Sequence, residues 1–292
     1  MPSTVSTAFV SMYSSNIQIL AQQAGSKLFG AVDMESVRGE DAYFDQIGAV
    51  DAVLKTTRQS DTPIGNTPFS RRKVTMATHH FGDLIDNDDI VRMLTDPTSQ
   101  LVKNVAHAMG RVYDKQILAA AVGNAATGHD GGTAVALPAA QIIESTAATI
   151  FTVDKLIEAK TIMDAADIPE EDRFIAVQAA DMKNLLGATQ IGSADYNTVK
   201  ALVHGNVDTF MGFKFIRVSD RVWTAAGVAD NVAIAFQKDC MKLGIGQDIF
   251  SRVSERADKN YAVQVYSEVT SQAVRMAEGG VVKINNLAAP AP

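Results

Sequence analysis

The sequence predicts an α+β fold, on three observations. A long helix follows Asp96-Pro97, helical and strand patterns alternate over residues 151–231, and the C-terminal third is mostly strand. The helix is the most securely marked element. Asp96 suits an N-cap and Pro97 a first helical position, and Leu101, Val105, Met109, Val112 and Ile117 follow at helical spacing up to a stop at Gly123-Asn124. At 1.5 Å per residue it spans roughly 40 Å, the length of a spine. In the alternating region Val153–Ala165 reads as a helix, Phe174–Val177 as a buried strand, Asp181–Leu186 as a short helix and Thr209–Val218 as a strand. In the last third Tyr261, Val263 and Val265 alternate with Ala262, Gln264 and Tyr266. The Gly279-Gly280 pair between Arg275–Glu278 and Val281–Ile284 signals a hairpin.

Two further segments protrude from this plan. Residues 7–29 carry an apolar stripe of Phe9, Met12, Tyr13, Ile17, Leu20, Ala24 and Leu28, and no charge precedes Lys27, which predicts a helical arm packed on protein. Residues 43–80 read as a long two-stranded excursion. One arm runs through Phe44, Ile47, Val50, Val53 and Leu54, the other from Arg72 to Thr78, with a polar connection rich in Pro, Gly, Asn and Asp. Such a hairpin is marginal alone in water, so something beyond it must hold it.

Composition bounds the function. The 292 residues are 47% hydrophobic and 20% charged, an ordinary globular profile. A net charge of −7 does not suit gripping a duplex, because counterion release requires clustered Lys and Arg. Cys240 is the only cysteine, so the sequence holds no disulfide pair and no zinc cluster, which fits synthesis in a reducing cytoplasm. No apolar run approaches the ~20 residues of a membrane span, and the N-terminal segment lacks the basic start of a secretory signal.

Catalytic and cofactor patterns are missing as well. No stretch fits a phosphate-binding loop or a serine elbow, and Gly244-Ile245-Gly246 has Ile249 where a dinucleotide fingerprint needs glycine. Asp86-Asn87-Asp88-Asp89 starts like a calcium loop, but Ile90 and Val91 stand in ligand and glycine positions, so an acidic helix start is the simpler reading. His79 and His80 are adjacent on a strand and point to opposite faces. His107 and His204 are isolated, His129-Asp130 lies in a glycine-rich loop, and Cys240 has no neighbouring base. The expectation is a protein without catalytic residues, cofactor or metal.

Four segments together resemble major capsid proteins of tailed bacteriophages. They are Phe9-Val10-Ser11-Met12-Tyr13-Ser14-Ser15-Asn16, Phe81-Gly82-Asp83-Leu84-Ile85-Asp86, Arg92-Met93-Leu94-Thr95-Asp96-Pro97-Thr98-Ser99 and Ile117-Leu118-Ala119-Ala120-Ala121-Val122-Gly123-Asn124-Ala125. The resemblance implies the Hong Kong ninety-seven capsid fold. Its parts would be an N-terminal arm (1–42), an extended β-hairpin loop (43–80), a peripheral domain with the long spine helix (81–150 and 232–292) and an axial α/β domain (151–231). It also implies self-assembly into pentamers and hexamers of an icosahedral head, built in the host bacterial cytoplasm and enclosing double-stranded DNA without sequence-specific binding. A separate scaffolding protein, a portal and a decoration protein are the further partners it suggests. An encapsulin-like shell shares the fold, and a soluble α/β enzyme is the reading from another class.

Charge adds a specific expectation. Segment 55–73 carries Lys55, Arg58, Arg71, Arg72 and Lys73 against Asp61, a net +4. Segment 81–96 carries Asp83, Asp86, Asp88, Asp89 and Asp96 against Arg92, a net −4. The pattern predicts that the loop of one subunit meets acidic surface on its neighbour, with Arg58, Arg71, Arg72, Lys73, Asp83, Asp86, Asp88 and Asp89 at the subunit interface.

Overall fold

The structure is a computed structural model and describes residues 22–59, 61–62, 64–86, 98–144, 150–187, 209–228 and 231–286. The chain forms two compact units. The larger comprises 27–77, 113–246 and 271–292, and the smaller 1–26, 78–112 and 247–270.

The strands are β1 (Asp33–Ser36), β2 (Asp41–Ile47), β3 (Phe69–Thr75), β4 (Ala77–Ile85), β5 (Ala125–Thr127), β6 (Thr133–Val135), β7 (Ile142–Ile143), β8 (Arg173–Val177), β9 (Thr209–Phe210), β10 (Phe213–Arg217), β11 (Val232–Gln237), β12 (Met241–Arg256), β13 (Ala262–Arg275) and β14 (Val281–Asn285). Among the described residues the α-helices are α1 (Thr98–Val122), α2 (Val153–Ala165), α3 (Ala179–Gly187) and α4 (Asp220–Ala225). The strands make three sheets, ordered β7-β14-β11-β8-β10-β9, β2-β3-β5-β6 and β1-β12-β13-β4.

The six-stranded sheet is the heart of the larger unit. Every side chain of β11 is buried, as expected of a central strand covered on both faces. Phe151, Leu156, Ala159 and Met163 from α2 and its approach join Ile175, Val177, Ala233, Ala235, Val282 and Ile284 in one core. The helix α2 has the predicted bounds, Val153–Ala165. The alternating region does not supply this sheet alone, because β7, β11 and β14 come from outside 151–231.

Four local expectations differ from the structure. Residues 22–28 continue the predicted helical stripe but are not helical, while 7–21 lie outside the described residues. The amides of Lys27 and Leu28 donate instead to the buried Asp114 carboxylate at 2.9–3.1 Å, which leaves them out of any helical ladder. The span Thr209–Val218 is a tight hairpin rather than one strand, turning at Met211 and Gly212, both at positive φ. The first arm of the excursion ends as a strand at Ile47 instead of reaching Leu54, and the second breaks at Met76 between β3 and β4. Gly279-Gly280 is not a hairpin turn, since β14 pairs with β11 and β7. A Cβ on Gly280 would collide with the Cys240 side chain, so close packing is what requires glycine there.

In the smaller unit the segment around Gln22 lies along the first half of α1. The Arg111 guanidinium donates to Gln22 Oε1 at 2.8 Å and to the Gln23 carbonyl at 3.1 Å. A Cβ on Gly110 would lie 2.6 Å from Gly25 Cα, so a glycine in mid-helix permits the backbones to touch. The last turn of α1, in the larger unit, is closed by buried Arg275, which donates to the carbonyls of Ala121 at 2.9 Å, Gly123 at 2.7 Å and Val135 at 2.9 Å. The Ala121 and Gly123 carbonyls are orphan acceptors of the helix end, and a cation is the favourable partner for them.

Candidate assembly interface

The base of the excursion is the hairpin β2–β3, paired antiparallel from Asp41↔Thr75 to Ile47↔Phe69. Alternation gives it two faces. Inward, Ala42, Phe44 and Val74 join Val37, Ala125, Val274 and Met276 in a core. Arg72 is on this buried face. Its Nε donates to the Met276 carbonyl at 3.1 Å, its Nη2 pairs with Glu278 at 2.5 Å, and Gln46 Nε2 reaches the same carbonyl at 2.6 Å.

The outward face is a ladder of opposite charges. Arg71 holds Asp45 through two nitrogens, at 2.5 and 3.2 Å, and Lys73 pairs with Asp41 at 2.9 Å. Tyr43 lies between the two cations, 5.5 Å from the Arg71 guanidinium and 5.9 Å from Lys73 Nζ. The Arg71 hydrogen bonds hold the Asp45 carboxyl below its usual value. A Thr75 hydroxyl bond, then Lys73, does the same for Asp41. On the far side β3 pairs with β5, and a Cβ on Gly131 would collide with the Lys73 side chain.

Beyond the pinch where the Gly48 amide donates to the Pro68 carbonyl at 2.8 Å, the character changes. No residue described from Ile47 to Ser70 is buried. Among them are Ile47, Val50, Val53, Leu54, Ile64 and Phe69, with Leu54 83% and Ile64 100% exposed. Covering each such side chain is worth about 1.5–3 kcal/mol, so water is a poor resting place for six of them.

The predicted interface residues fall in different settings. Arg71, Arg72 and Lys73 are paired within their own chain, with Asp45, Glu278 and Asp41. Arg58 is exposed on the excursion. The stretch 48–68 contains Lys55 and Arg58 against Asp51 and Asp61, and so is neutral overall. On β4 in the smaller unit Asp83 is half-buried and accepts from the Leu84 amide at 2.9 Å, and Asp86 just beyond is exposed. Asp88 and Asp89 lie outside the described residues. Sequence reasoning found the excursion but missed the apolar content of its tip as the dominant signal, although Val50, Val53, Leu54 and Ile64 are plain in the sequence.

Burial, assisted by Asp239, pushes the Cys240 thiol up to about 12, which makes it a poor nucleophile. His129 and Asp130 pair at 2.6 Å on a loop exposed to solvent, and His80 stacks on Tyr266 at 6.4 Å between ring centroids. Among the described residues no cluster of three potential metal ligands occurs, and no helix is long and apolar enough to cross a membrane.

Comparisons with known proteins agree with this picture. A phage capsid protein family model matches residues 5–288. The capsid of cyanophage P-SCSP1u superposes with a TM-score of 0.73 at 13% identity, covering 99% of this chain and 96% of that one. The capsid of Ralstonia phage GP4 gives 0.73 at 11% identity, covering 97% and 96%. The capsid of cyanophage Pam1 gives 0.68 at 12% identity, covering 97% and 98%. No curated protein matches the sequence. An α+β architecture of the Hong Kong ninety-seven type and a family match over nearly the whole length lead to one assignment: the chain belongs to the phage capsid protein family.

Proposed function

We propose that this chain is the major capsid protein of a tailed phage, self-assembling into the pentamers and hexamers of an icosahedral head around double-stranded DNA. Family membership carries the structural role, and the uncovered tip of the excursion carries the assembly step. In this reading residues 1–42 are the arm, 43–80 the extended loop, 81–150 with 232–292 the peripheral domain, and 151–231 the axial domain. The loop of one subunit lies on its neighbour, and the gain comes mainly from covering Val50, Val53, Leu54 and Ile64. Arg58 and the exposed Asp86 set register at the rim of that contact, where exposed charges choose partners more than they add affinity. A separate scaffolding protein and a portal direct closure in the host cytoplasm, and decoration proteins bind the finished shell. With a net charge of −7 the shell encloses the genome without gripping it.

Negative-stain microscopy and size-exclusion chromatography of the expressed protein test this directly. Closed shells or capsomer rings are expected. Helical tubes, or a stable monomer under every assembly condition, would refute it.

A further inference from the structure

The root of the excursion meets the end of the spine helix around a half-open pocket of about 250 Å³. Residues of β3, the end of α1, β5 and the end of β13 line it, and its polar side chains are Lys73, Thr75, Asn124, Gln272 and Arg275. None of the lining residues is acidic. Lys73 and Thr75 already have Asp41 as acceptor, at 2.9 and 2.6 Å. Arg275 is in a different position. It is fully buried, and its Nη1 and Nη2 donate to backbone carbonyls at the end of α1 and on β6. Its Nε is buried without a hydrogen-bond partner among the described residues. A second guanidinium adds to the positive charge. Arg72, on the opposite face of β3 from Lys73, is 6% exposed, and its Nη1 likewise lacks a partner among the described residues. Burial lowers the Arg275 pKa, Glu278 opposes this and Arg72 adds to it, while the Glu278 carboxylate is bonded to Arg72.

We propose that this pocket binds a free inorganic oxyanion of the phosphate or sulfate class, held at Arg275 Nε with the carboxamides of Asn124 and Gln272 as further donors. A buried donor on a charged group is costly to leave without an acceptor. An anion is the acceptor that returns most, because hydrogen bonds between ionised groups are the strong ones, and guanidinium is the side chain best matched to an oxyanion. The carbonyls at the end of α1 would repel an anion, but those of Ala121 and Gly123 are already answered by Arg275 Nη1. A tetrahedral oxyanion offers acceptors to several donors at once, which a halide does less well in a pocket of this volume. The same volume admits a free ion and is too small for the backbone of a duplex. Bound there, the anion joins β3, the end of α1 and the end of β13, and so fixes the root of the excursion to the spine. The inference goes beyond the assembly role and does not depend on it.

Equilibrium dialysis of the full-length chain against radiolabelled orthophosphate, at an ionic strength held constant with sodium chloride, is the test. A single saturable site per chain is expected, with sulfate competing and a short DNA duplex failing to compete. Gln272→Glu and Asn124→Asp each keep the shape of the lining and place a carboxylate in it. Each is expected to weaken phosphate binding at least about tenfold, since like charges at a contact repel strongly. Circular dichroism melts without phosphate check that the variants fold, and Asn124 is exposed, so Asn124→Asp keeps the fold even where Gln272→Glu does not. Absence of saturable binding to the wild-type chain would overturn the proposal without recourse to any variant. Wild-type affinity in a folded Asn124→Asp chain would also overturn it, because the phosphate would then lie elsewhere. Displacement of phosphate by the duplex would overturn the assignment to a free ion.

Discussion

The two ends of the β2–β3 hairpin follow opposite rules. At its base each of Arg71, Arg72 and Lys73 has a carboxylate of its own chain, and the inward face is packed in a core. At its tip the described residues include four large aliphatic side chains, Val50, Val53, Leu54 and Ile64, left in water. The base is therefore built by folding, and in the proposed assembly the tip is completed by association. The contrast separates what a mutation does to a subunit from what it does to a shell, and each experiment below presses on that separation.

Arg72→Ala should have the largest effect on the unassembled subunit. It strands the partly buried Glu278 carboxylate beside a core, although Gln46 still donates to the Met276 carbonyl, so a loss of about 3 kcal/mol is expected, the low end for breaking a buried pair on one side. Urea denaturation monitored by circular dichroism measures it, and a midpoint like the wild type's would show that the base is not held by this pair. Gly131→Val comes next. Its φ of +72° is strained for any side chain, and the new atoms meet Lys73, so a loss of about 1–3 kcal/mol is expected by the same measurement.

The double variant Leu54→Asp/Ile64→Asp should leave the subunit within about 0.5 kcal/mol of wild type, because both side chains are solvated there. Shells should nevertheless fail to close, as judged by electron microscopy. Normal shells from this variant would show that the tip does not seek a neighbour. The smallest effect concerns the outer ladder. Asp45 has a lowered folded-state pKa, so its contribution to stability is complete above the ordinary value of 3.8 and is lost as pH falls through the depressed one. In Arg71→Met, carboxyl titration by nuclear magnetic resonance should show Asp45 back near its ordinary value. A carboxyl that stays depressed would mean that Arg71 is not its partner in solution.

Much of the architecture was legible where the signal is local. The spacing in 98–122 and the bounds of α2 follow from helical periodicity, and β8 follows from its unbroken apolar run. Two of the misreadings share a cause, which is a partner far away in the chain. The stripe through Leu28 looks helical until Asp114, 86 residues on, takes its amides. Gly279-Gly280 looks like a turn until Cys240 is seen to occupy the space of a side chain. Charge was the most deceptive signal. The net +4 of 55–73 reads as a sticky surface, but Asp41 and Asp45 upstream and Glu278, 206 residues beyond Arg72, pair with three of its five cations. A sum over a window cannot know whether its charges are already matched. The exposed apolar tip needed no such knowledge, only the recognition that a polar-looking loop carried side chains with no reason to be wet.

The pinch at Gly48 and Pro68 also has a mechanical meaning. A subunit that serves both five-membered and six-membered rings must meet its neighbours at two different angles with one sequence. Below the pinch, ladder bonds and a sequestered guanidinium leave little room to bend. In the proposed assembly, accommodation between the two ring types would begin past it, with the Gly48–Pro68 bond at the boundary between a rigid lever and a compliant gasket.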